Sequence, residues 1–187
     1  MKVSKAKALG NRDAILQAAS AQIRARGLTH MSVAEVARAA NLTHGALYSH
    51  FQSKEALTTE AMKCAFADCL REFSGLPAPK FLQRYLSTQH RDQPEGGCPA
   101  AALVSEVARQ PAELQATFHS GVDQFIALAG KSLEAVGAKH GHDRAVLMFA
   151  AMVGALALSR AIRNVDASGS ADILRAVRNQ LALLVDG

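Results

Sequence analysis

Thr43-His44-Gly45-Ala46-Leu47-Tyr48-Ser49-His50-Phe51-Gln52-Ser53-Lys54-Glu55-Ala56-Leu57 is the stretch on which the fold turns. Thr43 suits a helix N-cap, its hydroxyl free to accept a backbone N–H. Ala46, Leu47 and Phe51 then fall on the packing side of a short helix from His44 to Phe51. Ser53 repeats the cap signal and opens a longer helix that begins Lys54-Glu55-Ala56-Leu57 and runs to about Phe73. The outer side of the short helix carries Thr43, His44, Tyr48 and His50, all able to hydrogen-bond a phosphate or a base edge. Gly45 removes a side chain and permits close backbone approach. Lys54 adds a cation beside the free N–H groups of a helix head, which suits an anion. Read singly, each is an ordinary residue of a polar helix surface; the run carries the signal.

Upstream, Ser32-Val33-Ala34-Glu35 reads as a capping box, with Ser32 capping Glu35 and Glu35 reaching back to the Ser32 N–H. Val33, Val36, Ala37 and Ala40 form the apolar stripe of a short helix whose small residues allow close packing. Asn41 tolerates the left-handed conformation that ends such a helix abruptly. Two short helices joined by a three- or four-residue turn make a helix-turn-helix. Before them, Ile15, Ala18, Ala19, Gln22 and Ile23 share one side of a helix over Asn11–Arg26, which Gly27 ends. Charge follows the same division. Residues 1–54 hold eight basic and two acidic residues, an excess of +6, whereas the whole 187-residue chain carries +5. The positive excess lies entirely in the first third, as expected of a segment that meets a polyanion.

The run THGALYSHFQSKEAL, preceded by MSVAEVARAANL, resembles the DNA-binding domain of the TetR/AcrR family of transcriptional regulators over residues 12–60. The resemblance implies an all-α chain: an N-terminal three-helix helix-turn-helix domain at 1–55, then a larger helical ligand-binding and dimerisation domain at 56–187. It implies that Thr43, His44, Gly45 and Ala46 start the recognition helix and face bases. Tyr48, Ser49 and His50 would lie on the DNA side with Tyr48 and His50 on phosphates, Lys54 would reach a phosphate from the next helix, and Ser32 would sit near the backbone. The chain departs from the family in having His44 where Lys or Arg is common and Asn41 where Gly is common. The expected partners are double-stranded operator DNA, a small-molecule effector and a second copy of the chain. The basic residues Lys2, Lys5 and Lys7 are read equally as an arm that reaches DNA and as a disordered tail.

The remainder reads as helices broken at Gly75-Leu76-Pro77-Ala78-Pro79, at Gln93-Pro94-Glu95-Gly96-Gly97-Cys98-Pro99 and at Gly137–Gly141. Between the breaks, helices are expected over Lys80–His90, Ala100–Arg109, Pro111–Val136, Asp143–Arg163 and Ala171–Val185. The Asp143–Arg163 segment is apolar on nearly all sides and must be covered all round. Either it is a central core helix or, the reading preferred, the last two helices join two copies of the chain. The longest apolar run, Ala145–Leu158, is 14 residues, shorter than a membrane span. With no apolar segment at the start, a cytoplasmic protein without membrane association is expected.

Cys64, Cys69 and Cys98 have neither CxxC nor zinc-type spacing and fit a reducing compartment. Glu95-Gly96-Gly97-Cys98-Pro99 places a thiol near a helix start, where the dipole favours the thiolate. A Gly-Cys pair here resembles a branch of the family in which some members sense electrophiles or oxidants through cysteine; a packing cysteine is the other reading. Phe66, Cys69, Phe73, Leu82, Tyr85, Leu103, Phe118, Phe125 and Phe149 are read as pocket lining or as plain core, with Tyr85 and Phe118 joining Cys98 as effector candidates. His140 and His142 lack a third ligand, so no metal and no cofactor is expected. No GxSxG, HExxH, P-loop or dinucleotide fingerprint is present. A helical small-molecule-binding protein or enzyme that never touches DNA is the competing reading, which the basic first third and the Thr43–Lys54 run oppose.

Overall fold

The computed structural model describes residues 5–137 and 141–186. Ten α-helices and no strand occur among them: α1 (Lys5–Arg26), α2 (Val33–Ala39), α3 (His44–Tyr48), α4 (Lys54–Phe73), α5 (Ala78–Tyr85), α6 (Thr88–Asp92), α7 (Pro99–Val107), α8 (Ala112–Glu134), α9 (Gly141–Ile162) and α10 (Ala167–Asp186). A 3-10 turn, Pro94–Gly96, precedes α7. The all-α expectation holds, and several boundaries move for identifiable reasons.

Helix α1 begins at Lys5 rather than Asn11, because Lys-Ala-Lys-Ala-Leu are strong helix formers. Lys7 therefore belongs to a helix, not to a disordered tail; Lys2 lies outside the described residues. The expected helix over Lys80–His90 is two helices. Leu86 leaves helical geometry (φ −92°, ψ 51°), and the Ser87 hydroxyl accepts the His90 N–H at 3.1 Å to cap α6. Helix α10 starts four residues before Ala171, because the Asp166 carboxylate accepts the Gly169 N–H at 2.8 Å and the Ser168 hydroxyl at 2.9 Å.

The buried apolar residues form one continuous core from Ile15 in α1 to Val185 in α10. Helix α4 is its spine, packing on α1, α7 and α8. Gly121 in α8 lets α4 come close, since a Cβ there would overlap the Phe66 ring. Helix α9 packs on α7, α8 and α10. By length and composition α9 could cross a membrane; one side of it, with Met148, Phe149, Met152 and Leu156, is buried against the rest of the chain. Two buried hydroxyls join α9 to α10, each donating to the other's backbone: Ser159 to the Ser170 carbonyl at 2.8 Å and Ser170 to the Ser159 carbonyl at 2.7 Å. The outer sides of these helices stay apolar, with Leu147 52%, Leu158 60% and Leu183 66% exposed.

Candidate nucleic-acid interface and buried thiol centre

The helix-turn-helix is built by local caps. Ser32 caps α2 with its hydroxyl on the Glu35 N–H at 3.4 Å, but the reciprocal half of the expected capping box is absent. Gln22 instead accepts the Ser32 N–H at 2.7 Å, and Glu35 turns to Gln22 (2.9 Å) and Arg26 (2.5 Å), tying α2 to α1. Asn41 closes α2 at φ 56°, the left-handed conformation its residue type tolerates. Thr43 caps α3 through the Ala46 N–H at 3.2 Å, and Ser53 caps α4 through the Ala56 N–H at 3.1 Å. Leu47 and Phe51 are buried and fix the rotation of α3. Arg12 of α1 lies over the Phe51 ring, 4.9 Å from its centre, and pairs with Glu60 of α4, bracing α1 and α4 against the segment that follows α3.

That rotation leaves Thr43, His44, Gly45, Tyr48 and Ser49 exposed, with Ala46, His50, Lys54 and Ser32 half-buried. Tyr48 is 42% exposed and meets the His44 ring edge to face at 5.1 Å. Nothing lies within 4 Å of where a Gly45 side chain would start, so the glycine leaves open space on the outer side. The Ser49 hydroxyl donates to the Ala46 carbonyl at 2.7 Å, which keeps only its lone pairs available outward. Helix α3 ends at Tyr48, three residues short of Phe51, so Ser49 and His50 occupy the following turn. The outer side offers hydroxyl, imidazole and phenol donors, and Lys54 adds a cation at the head of α4.

A second constellation lies in the core. Cys98 caps the N-terminus of α7 and is fully buried, as is Cys69 of α4. Its backbone N–H donates to His90 Nε2 at 2.9 Å, so the other ring nitrogen, Nδ1, carries the proton and donates to the Tyr85 carbonyl at 2.7 Å. Burial raises the Cys98 thiol, but the influence of Cys69, Tyr85 and the Ala101 and Ala100 N–H groups outweighs it and brings it down to about 7. The Cys69 thiol is pushed well up, because its proton is held toward Cys98 and burial adds to this. The Tyr85 hydroxyl is also raised by burial. It has no hydrogen-bond partner. Burial depresses His90 to about 4.

Two arginines that the sequence reading passed over flank the sulfurs. Arg24 of α1 is buried and donates to the Ser20 and Gly97 carbonyls at 3.1 and 3.3 Å. Arg160 of α9 donates to the His90 and Arg91 carbonyls at 2.8 and 3.2 Å, leaving Nη1 buried without a partner. An arginine inside an apolar helix pattern was the available signal for both. Glu106 was also missed: its carboxylate accepts the Leu28 and Thr29 N–H groups at 2.9 and 3.2 Å. Phe118 is not part of this centre; it packs edge to face on Phe66 at 5.6 Å. Phe73, Phe81, Tyr85 and Phe125 pack on one another. His142 is exposed and His140 lies outside the described residues, among which no group of three or more side chains is placed to hold a metal. A cleft of about 430 Å³ opens between Leu28, Lys54 and Thr58 on one side and Gln110, Pro111 and Leu114 on the other.

Similar folds are seen in a TetR transcriptional regulator from Chloroflexus aurantiacus J-10-FL (20% identity, 96% of each chain covered, TM-score 0.77) and one from Legionella pneumophila (23%, 98% of each, TM-score 0.73). The reduced form of Escherichia coli NemR is similar at 22% identity over 90% of this chain and 95% of that one, with a TM-score of 0.72. These likenesses concern the fold. No curated protein matches the sequence. Residues 15–61, the segment that holds the capped helices and their exposed polar side, match the family of bacterial regulatory proteins, tetR family, and the chain carries the DNA-binding domain of that family in this segment.

Proposed function

We propose that the chain is a repressor that binds a palindromic operator as a homodimer and is released by a small hydrophobic effector. The observation that carries this reading is the exposed side of α3, where Thr43, His44, Gly45 and Tyr48 stand together while Leu47 is locked inward. Thr43, His44, Gly45 and Ala46 read base edges in the major groove. Ser49, His50, Tyr48, Lys54 and Ser32 lie along the phosphates. The apolar outer sides of α9 and α10 support a homodimer seam, since exposed leucines in this number are costly on an isolated surface. Two-fold symmetry then places the half-sites one or more helical turns apart. An effector acts only by binding one arrangement of the two reading heads better than the other. The protein works in the cytoplasm, and no catalytic step is assigned to it.

A gel-shift titration with duplex from upstream of its own gene tests the reading. Saturable binding that weakens with salt and prefers that duplex over a scrambled one supports it; equal binding to both, or none, rejects it.

A second reading is favoured by the surroundings of Cys98: the signal is an oxidant or electrophile, received by this thiol. The support is a fully buried thiol at the head of α7 whose surroundings bring it down to about 7.

A further inference from the structure

We propose that the cleft between the head of α4 and the α7–α8 corner binds a small zwitterion with an apolar body, of the build of an apolar amino acid; its effect on DNA rests on the reading of Lys54 as a phosphate contact. The cleft encloses about 430 Å³, the size of a small-ligand site, and lies where the helix-turn-helix meets the rest of the chain. Leu28, Pro111 and Leu114 give it an apolar lining. Thr59 also lines it and is nine-tenths buried, and among the described residues its hydroxyl has no hydrogen-bond partner. A buried hydroxyl left unpaired costs free energy and points to a partner that arrives with a ligand.

The charges on the two walls are opposite. Lys54 stands on the α4 wall and Glu113 on the α8 wall, and among the described residues neither the ammonium nor the carboxylate makes an ion pair or a hydrogen bond. Glu55, the other acid of the lining, is held below its ordinary range by its own backbone N–H and then by Ser53, so its charge is already answered within its own helix end. A cation on one wall, an anion on the other and apolar side chains between them suit a molecule whose polar head carries both signs. Its carboxylate goes to Lys54, its ammonium to Glu113, and its body covers Leu28 and Leu114. A plain anion would leave Glu113 unanswered, and a plain cation would sit against Lys54.

The walls are joined to the reading head. The Glu106 carboxylate ties Leu28 and Thr29 to α7, and α7 leads into the Pro111 corner, so two of the three walls form one piece. The third wall is the head of α4, the next helix after α3. A ligand carboxylate on Lys54 also takes the ammonium that a phosphate needs. Ligand and operator therefore compete for one charge, and each weakens the binding of the other by the same factor.

The test uses the full chain with L-leucine and L-phenylalanine, and with 4-methylpentanoate and 3-methylbutylamine, which keep the leucine body but lack the ammonium or the carboxylate. Calorimetry should show an amino acid binding about ten-fold tighter than either control, and about ten-fold weaker in Glu113→Gln and in Thr59→Val. Without ligand, Glu113→Gln should bind operator as the parent does. A saturating amino acid should weaken operator binding by the parent about ten-fold, and less in Glu113→Gln at the same concentration. No binding of either amino acid, unchanged binding in either variant, or a control that binds as well as leucine overturns the site. If an amino acid binds through Glu113 and Thr59 while operator affinity stays the same, the site stands and the shared role of Lys54 falls. If no duplex binds at all, calorimetry still decides the cleft. Should Thr59→Val fail to fold, Glu113→Gln, altered at an exposed position, decides alone.

Discussion

The Glu106 carboxylate accepts the Leu28 backbone N–H at 2.9 Å, joining residues 78 apart in sequence and gripping the end of the first helix from the seventh. The same carboxylate takes the Thr29 N–H and hydroxyl. Gly27 makes room for it: its φ is +85°, and a Cβ there would overlap Glu106 Oε1. Removing the carboxylate leaves two backbone donors without their charged acceptor. Glu106→Ala should therefore lower stability by about 1–3 kcal/mol, read from urea unfolding. Glu106→Gln keeps one acceptor oxygen and should lose less. Equal stability of all three proteins would show that the grip contributes nothing.

Lys54 offers charge and no base reading. Lys54→Ala should weaken every duplex alike and make the plot of log affinity against log salt shallower by about 0.9 for each phosphate that is no longer neutralised. His50→Ala should likewise weaken binding without changing its preference. A change in preferred sequence in either variant would contradict the phosphate role.

Thr43 has two jobs that alanine cannot separate. Its hydroxyl caps α3 and also stands on the exposed side. Thr43→Ala should cost about 1 kcal/mol of stability through the missing cap and also alter sequence preference. Thr43→Ser retains the cap, so stability should return while preference stays altered through the missing methyl. Competition binding against a library of operator variants, paired with thermal melts, distinguishes the two effects.

Acid should loosen the core at His90. Burial first of all holds this imidazole to about 4, against an ordinary value of 6.5. The unfolded chain therefore binds the proton that the folded chain refuses, and stability is lost as pH falls from about 6.5 towards 4. His90→Gln presents an acceptor to the Cys98 N–H and does not titrate. Its unfolding midpoint should vary less over this window than the parent's, by urea titration at successive pH values. Parallel curves would remove His90 as the cause.

Leu158 is 60% exposed in the single chain. If α9 lies in a subunit seam, Leu158→Lys should shift sedimentation from dimer to monomer while the helical circular dichroism spectrum is kept. An unchanged sedimentation coefficient would place the seam elsewhere.

What the sequence discloses and what it hides divide along one physical line. The caps at Thr43 and Ser53 and the turn at Asn41 are decided within four residues, so residue type alone exposes them. The inward setting of Leu47 follows from periodicity. The split at Leu86 and the early start of α10 are also local, carried by Ser87 and Asp166, but the apolar pattern runs through both and masks them. The partnership of Glu35 with Gln22 could not be read in this way, since a capping box and an interhelical tie use the same residues. Pairings that depend on how helices cross lie beyond any local pattern. Arg160 reaching His90, Arg24 reaching Gly97 and Glu106 closing on Leu28 all bring distant segments together. The exposed polar set was legible because it sits on one short helix and the turn after it; the surroundings of Cys98 were not, because residues of six helices contribute to them.

The division expected between residues 55 and 56 falls in the first turn of α4, which runs from Lys54 to Phe73 without interruption. At 1.5 Å per residue, Lys54 and Cys69 are about 22 Å apart along a single shaft. Modular grafting must respect that shaft's phase. Splicing one extra residue into its middle turns everything upstream by about 100°, so a chimaera could keep two sound halves and still be deaf to its operator.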